Sequence, residues 1–214
     1  MDALKKLISG YKSFHQRYYV EDDSVYRKLA NEGQSPKVAM IACSDSRVDP
    51  SILMESAPGE VFVIRNVANL VPPFQNDTST YRGAAAARQV AGTGIGVAHL
   101  IVLGHSKCAG IRALIERRAQ PDDAGSFIHG WMHIADAVKQ EIREHHNEKP
   151  FEEQAHICER GAIALSIANL KTFPWIQKRM EQGKLSLHGW HFDLDQGQLW
   201  ELKTDGHWEI ISSK

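Results

Sequence analysis

The sequence predicts an α/β protein with a central mixed sheet, whose core strands are parallel and whose C-terminal edge is antiparallel. Helices are expected on both faces, together with an extended N-terminal helix. Short apolar runs such as Val38–Ala42 and Leu100–Leu103 are typical of buried parallel strands. Segments of helical periodicity lie between such runs. Near the C-terminus, Gln196-Gly197 and Asp205-Gly206 are turns between short alternating strands, which predicts hairpins.

The elements follow in order along what we predict to be a single domain over residues 1–214. It divides into a helical arm at 1–30, an α/β core at 34–183 and edge hairpins at 184–214. The expected strands are Val38–Ala42, Val61–Asn66, Leu100–Leu103, Leu185–Leu194, Leu199–Leu202 and Trp208–Ile211. The expected helices are Ser24–Ala30, Arg82–Ala91, Cys108–Glu116, Phe127–His146, Phe151–Phe173 and Trp175–Glu181, with a helical turn starting at Asp49.

The first helix is predicted by apolar residues at helical spacing, which are Leu4, Ile8, Tyr11 and Phe14. This amphipathic helix either packs on the core of its own chain or reaches another subunit. Tryptophans on the C-terminal strands leave a similar choice, because Trp190, Trp200 and Trp208 suit either a core or a surface between subunits.

Composition excludes several classes of protein. The 214 residues carry a formal net charge of -1, which does not indicate a nucleic-acid binder or a protein of anionic membranes. No apolar run approaches the roughly 20 residues that cross a bilayer, and the N-terminus lacks the apolar segment of a secretory signal. Three cysteines are an odd number and do not make a disulfide framework. They fit a protein of a reducing compartment that binds a metal. We therefore expect a cytoplasmic protein.

Potential metal ligands follow two of the predicted strands. Cys43 directly follows the run Val38–Ala42, and His105 and Cys108 follow the run Leu100–Leu103. Parallel α/β sheets place their chemistry at the carboxyl ends of the strands, where two thiolates and one imidazole suit zinc. Taken singly, these residues also fit small buried side chains and a loop histidine. Their combined spacing favours a metal site with three ligands.

Asp45 and Arg47 lie beside the first of these ligands. Residues two apart in an extended segment point to the same side, so Cys43, Asp45 and Arg47 are expected to share one face. Asp45 then has two possible roles. It is either a fourth ligand or a carboxylate that Arg47 holds in a two-pronged, charge-assisted pair.

These motifs resemble the signature of the β-class carbonic anhydrases, in particular of the plant-like members. The resemblance rests on Cys43–Val48, on Arg65–Asn69, and on Gly104-His105-Ser106 followed by Cys108, Gly110 and Ile111. It extends from about Gln34 to the region of Trp190–Asp193. It implies one Zn²⁺ per subunit, a homodimer or homotetramer, and an N-terminal helix that reaches the partner subunit.

The resemblance also implies the reaction, which is the reversible hydration of carbon dioxide to bicarbonate by zinc-bound hydroxide. Cys43, His105 and Cys108 would hold zinc, Asp45 would accept the hydroxide proton, and Arg47 would keep Asp45 ionised. Gln34, Phe62, Val67 and the position of Val90 would line the substrate pocket.

Regulation by bicarbonate is not expected. Relatives under such control carry Trp and Tyr where this chain has Met40 and Phe192. This difference predicts the ready form, in which water occupies zinc and Asp45 does not.

Two other functions remain open from the sequence. The first is an enzyme on the same scaffold that acts on another small linear molecule, such as carbon disulfide or carbonyl sulfide. A zinc-binding module without catalysis would instead close its site with four protein ligands.

Overall fold

Six strands form one sheet in the part of the chain described by the computed structural model, which covers residues 2–20, 24–75, 96–116, 128 and 130–211. The order across the sheet is β2-β1-β3-β4-β5-β6. The strands are β1 (Val38–Cys43), β2 (Val61–Asn66), β3 (His99–His105), β4 (Ser186–Asp193), β5 (Gln198–Leu202) and β6 (Trp208–Ile210). The first four run parallel, and β5 and β6 are antiparallel. The predicted mixed sheet is therefore confirmed.

Helices flank this sheet. They are α1 (Ala3–His15), α2 (Val25–Glu32), α3 (Pro50–Leu53), α4 (Ala109–Ile115), α5 (Asp136–His145), α6 (Phe151–Leu170) and α7 (Pro174–Glu181). The helix predicted at Arg82–Ala91, and with it Val90, lies outside the described residues. None of the described helices has both the length and the apolar character needed to span a membrane.

The prediction of one continuous helix over Phe127–His146 is wrong in its described part. A 3₁₀ turn at His133–Ala135 precedes α5. Residues i and i+3 eclipse each other in a 3₁₀ turn, and here the His133 and Asp136 side chains lie 2.5 Å apart across it. This short contact accompanies the change in helical pitch.

Alternate residues of β1 face opposite layers of the molecule, as the two-residue period of a strand requires. Ala39 and Ile41 belong to a buried cluster that includes Ile163 of α6. Met40 and Ala42 belong to a different cluster, against which residues at the end of α3 pack. Both faces of β1 are thus covered, which explains why its sequence is a continuous apolar run rather than an alternating one.

Helix α6 approaches the sheet closely where two glycines interrupt the strands. A Cβ atom on Gly104 would lie 2.7 Å from the Ile163 Cδ1 atom, and one on Gly189 would lie 2.9 Å from its Cγ2 atom. Such separations are shorter than real Cβ contacts. Ile163 therefore occupies the space that side chains on β3 and β4 would otherwise fill, directly beside His105.

The edges of the molecule differ from two expectations. The first four residues of β2 are all apolar, which predicts a strand covered on both faces, but all six of its residues are half-buried because it is the outer strand of the sheet. Helix α1 contains no buried residue, and Leu4 and Leu7 are 62% and 72% exposed. The alternative in which α1 packs on the core of its own chain is therefore wrong.

Candidate metal centre

Cys43, His105 and Cys108 come together at the carboxyl end of the parallel strands. Cys43 ends β1, His105 ends the neighbouring strand β3, and Cys108 is the N-cap of α4. Their ligating atoms all lie within 4.8 Å of one another, and all three side chains are buried. The structure thus brings the three predicted residues together, because strand ends in a parallel sheet meet at one edge.

The geometry of this group fits zinc. The Cys43 and Cys108 Sγ atoms are 4.0 Å apart and form no disulfide, and two thiolates on tetrahedral zinc stand about 3.8 Å apart. His105 Nδ1 bonds to the Ser106 carbonyl oxygen at 2.8 Å, so this nitrogen is the donor. The buried Nε2 atom has no hydrogen-bond partner among the described residues. A metal ion would use this lone pair, as is typical of histidine ligands whose other nitrogen is fixed by a carbonyl.

A strained turn separates His105 from Cys108. Lys107 has a φ of 59°, a left-handed conformation that costs free energy in a residue other than glycine. Two hydrogen bonds stabilise the turn: Arg47 Nη2 donates to the Lys107 carbonyl at 3.1 Å, and the Cys108 N–H donates to Glu159 Oε1 at 3.1 Å. Glu159 was not among the predicted site residues: a single carboxylate on the apolar side of a helix marks it in the sequence, but does not show which group that carboxylate contacts.

Asp45 is held by Arg47 through a two-pronged pair. Arg47 Nε donates to Oδ1 at 2.9 Å and Nη2 donates to Oδ2 at 2.7 Å. These hydrogen bonds keep the pKa of Asp45 well below its usual range, despite partial burial. Asp45 Oδ2 lies 3.9 Å from His105 Nε2. The expectation that Cys43, Asp45 and Arg47 lie in one extended segment is wrong. Strand β1 ends at Cys43, and a turn follows in which the Val48 N–H donates to the Asp45 carbonyl at 3.2 Å.

Arg65 holds the backbone of the same loop. It donates from Nε to the Cys43 carbonyl at 2.9 Å and from Nη2 to the Asp45 carbonyl at 2.7 Å. Its Nη1 atom donates to Asp49 Oδ2 at 2.8 Å. The sequence placed Arg65 within a family motif but assigned it no such contact, because that contact depends on the pairing of β1 with β2.

The pKa values of the two thiols are shifted in opposite directions. The Cys108 thiol lowers the pKa of Cys43 by hydrogen bonding, and the same bond together with burial raises the pKa of Cys108. A thiol at the start of a helix is expected to have a lowered pKa, but this expectation is wrong for Cys108, because the pairing with Cys43 outweighs the effect of the α4 N-terminus. Burial opposes protonation of His105, but Cys43 leaves the pKa of His105 raised.

The proposed pocket residues are not all close to this group. Val67 packs against the buried cluster that contains Cys43 and Cys108. Phe62 pairs with Ala39 in the first half of β2 and packs in another cluster. Gln34 is exposed and lies before β1, so about 20 Å of strand separates it from Cys43. Val90 lies outside the described residues.

Comparison with known proteins identifies similar chains. The family model described as carbonic anhydrase matches residues 38–199. Beta carbonic anhydrase 3 of Arabidopsis thaliana is 35% identical over 206 residues, which are 94% of this chain and 78% of that protein.

Two solved structures are also similar. The β-carbonic anhydrase CcaA is 26% identical with a TM-score of 0.87, and the match covers 100% of this chain and 94% of that one. A tetrameric β-carbonic anhydrase from Sordaria macrospora is 25% identical with a TM-score of 0.74, and the match covers 97% and 95% of the two chains.

Proposed function

The chain belongs to the β-class carbonic anhydrase family and is thus an enzyme of the carbonate dehydratase type, and we propose that it uses zinc to interconvert carbon dioxide and bicarbonate. One observation carries this proposal beyond family membership. Three buried ligand residues converge, while the nearby carboxylate of Asp45 is engaged by Arg47. A catalytic zinc site has three protein ligands and one position for water, and the described residues offer that number.

Cys43, His105 and Cys108 would hold the ion. When bound, zinc supplies a Lewis acid that lowers the pKa of a coordinated water to about 7. Ser106 orients the ring of His105 through its carbonyl, and Glu159 holds the backbone of Cys108. Arg65 holds the backbone of Cys43. These contacts keep the ligand atoms in place before the metal arrives, so little reorganisation accompanies binding.

Asp45 would act as a hydrogen-bond acceptor for the attacking water. Its carboxylate is ionised at neutral pH, because Arg47 keeps its pKa low. An ionised carboxylate only accepts hydrogen bonds, so Asp45 would accept the proton of this water and leave a lone pair free to face the substrate carbon. Val67 contributes an apolar wall beside the thiols, which suits a nonpolar substrate.

The alternatives differ in what they require of the site. A closed, structural zinc site needs a fourth protein ligand, and Asp45 is the nearby candidate. Its two-pronged pair with Arg47 favours the three-ligand form. Carbon disulfide or carbonyl sulfide would use the same residues, so only an assay with each substrate separates these reactions.

Stopped-flow measurement of carbon dioxide hydration tests the proposal. Zinc content is measured for wild type, for Asp45→Asn and for the control Asp205→Asn, which lies in the β5–β6 hairpin. We expect about one zinc per chain in all three. We expect Asp45→Asn to lower kcat/KM by about 10²-fold or more, and the control to leave it unchanged.

Two results would contradict the proposal. In the first, zinc-loaded wild type hydrates carbon dioxide no faster than buffer does. In the second, only carbon disulfide or carbonyl sulfide is turned over.

Self-association is the second part of the proposal, as a homodimer or homotetramer. Helix α1 exposes Leu4, Leu7, Ile8 and Tyr11, and nothing described in its own chain covers them. A second copy supplies the apolar surface that this helix lacks. Gln34 is remote from the ligands of its own chain, so its amide would face substrate only if association brings it to a neighbouring site.

A further inference from the structure

A second group of potential metal ligands lies beneath helix α6. His156 and Glu159 are three residues apart on this helix, and His191 lies opposite them on β4. Their ligating atoms all lie within 4.8 Å of one another. We propose that His156, Glu159 and His191 form a second site for a divalent transition-metal ion, distinct from the Cys43–His105–Cys108 centre.

Burial of unpaired polar atoms is the first argument. His191 is 0% exposed, and neither of its ring nitrogens has a hydrogen-bond partner among the residues that the structure describes. Glu159 is 4% exposed, and its Oε2 atom lies 3.5 Å from His191 Nε2. Buried polar groups are costly unless they are bonded. A cation between the imidazole and the carboxylate would satisfy both.

The identity of the donors is the second argument. Two imidazoles with one carboxylate are an established ligand set for zinc and related ions. Ligands about 2.0–2.1 Å from a tetrahedral zinc ion stand roughly 3.4 Å apart, which the 3.5 Å between His191 Nε2 and Glu159 Oε2 matches. Residues three apart on a helix share one face, so His156 reaches the same point as Glu159.

An ion also has a route to this group. His156 is only partly buried and lines a cavity of about 810 Å³, which Gly189 and Trp208 also line.

Arg160 opposes binding and sets the expected strength. Its guanidinium stacks 4.7 Å from the Trp200 ring centroid and 5.1 Å from that of Trp208. Arg160 directly follows Glu159 in the chain, so its positive charge lies near the proposed site. The only charged ligand of that site is Glu159, which carries a single negative charge. We expect this site to bind a cation more weakly than the two-thiolate centre does.

One carboxylate joins the two sites. Glu159 Oε2 faces His191, while its Oε1 atom accepts the Cys108 N–H at 3.1 Å. An ion bound at the second site would therefore fix the carboxylate that supports a ligand of the first.

Titration of the metal-free full-length chain with Co²⁺ tests the proposal. Binding is followed by absorbance, and stoichiometry is measured by equilibrium dialysis at micromolar free metal. The first equivalent should produce thiolate-to-cobalt charge transfer, because it occupies the two-cysteine centre. The second equivalent should add only ligand-field bands, because nitrogen and oxygen ligands lack that transition.

Variants assign the second equivalent. His156→Ala should bind one equivalent with an unchanged charge-transfer spectrum, which also shows that the variant folds, and affinity for the second should fall at least tenfold. His99→Ala is the control, since His99 Nδ1 lies 3.1 Å from His188 Nε2 in another histidine pair. It should retain both equivalents. The proposal is overturned if wild type binds one equivalent, if His156→Ala binds two, or if only His99→Ala loses the second.

Discussion

Charged side chains hold the backbone around Cys43 and Cys108, although they are not themselves members of the Cys43–His105–Cys108 group. Arg65 bonds to the carbonyls of Cys43 and Asp45, and Glu159 bonds to the N–H of Cys108. Charged groups make stronger hydrogen bonds than neutral ones do. The two ligand loops are thus fixed from opposite sides, one by a cation and the other by an anion.

Arg47→Gln tests how strongly the guanidinium acts on Asp45. The pKa of Asp45 is about 3.9 in an unfolded chain, and Arg47 lowers it in the folded chain. A lowered folded-state pKa stabilises the fold above about pH 4, and this stabilisation is lost as the pH falls through the folded-state value. We expect the variant to unfold at lower urea concentration than wild type at neutral pH, and the difference to shrink in acid.

Urea unfolding curves at neutral pH and at an acidic pH below about 4 provide the measurement. Chelator is present so that metal release does not contribute. Arg143→Gln on the exposed side of α5 serves as the control and should show no such dependence. A difference between Arg47→Gln and wild type that stays the same at both pH values would refute the explanation.

At this scale the sequence predicts ligands better than the residues that support them. Cys43, His105 and Cys108 follow apolar runs, so their meeting required only that the strands be parallel neighbours. The contacts of Arg65 depend on the register of β2 against β1. The contact of Glu159 with Cys108 depends on how α6 is rotated about its own axis. Neither quantity can be read from spacing along the chain.

Among the elements, the contact of α6 with the sheet is the most sensitive to change. Gly104→Ala would place a methyl group against Ile163 of α6, immediately before His105. Overpacking of this kind costs about 1–3 kcal/mol. We expect a lower free energy of unfolding by that amount and weaker zinc binding, measured by denaturant unfolding and by competition with a chelator.

Two further variants check this explanation. Gly10→Ala in α1 meets nothing within 4 Å and should be neutral or slightly stabilising. Ile163→Val removes the Cδ1 atom nearest to the added methyl, so the double variant with Gly104→Ala should lose less stability than the two single changes sum to. Strict additivity would mean that the clash with Ile163 is not the cause.

Periodicity predicted the described strands and most of the helices, but not their positions in the sheet. The first four residues of β2 are as apolar as those of β1, yet β2 is the outer strand and half-buried. The break before α5 was also missed, because no proline or glycine lies within His133–Ala135 to mark it. Local sequence specifies an element, whereas strand order depends on contacts made across the whole chain.

For the whole molecule, the unburied helix α1 determines what we expect of assembly. Leu7→Glu combined with Ile8→Glu would place charges on its apolar face, and charges at an apolar interface oppose association. We expect wild type to have the mass of a dimer or tetramer in light scattering, and this double variant to have a smaller mass.

Ser9→Glu combined with Ser13→Glu adds the same charge to the opposite side of α1 and should leave the mass unchanged. A wild-type chain that is monomeric would refute the prediction, as would equal effects of the two double variants. The sequence indicated that α1 is amphipathic, but it left open which surface covers it, because both choices give the same pattern.

The distance in sequence between the ligands has a consequence for biosynthesis. Cys43 and Cys108 are separated by 65 residues, and Glu159 follows Cys108 by a further 51. A chain emerging from the ribosome therefore exposes its first thiol long before the imidazole and the second thiol exist. A metal ion could contact all three ligands only after residue 108 has been made, and a product truncated before α6 would have these three residues without the carboxylate that holds the last one.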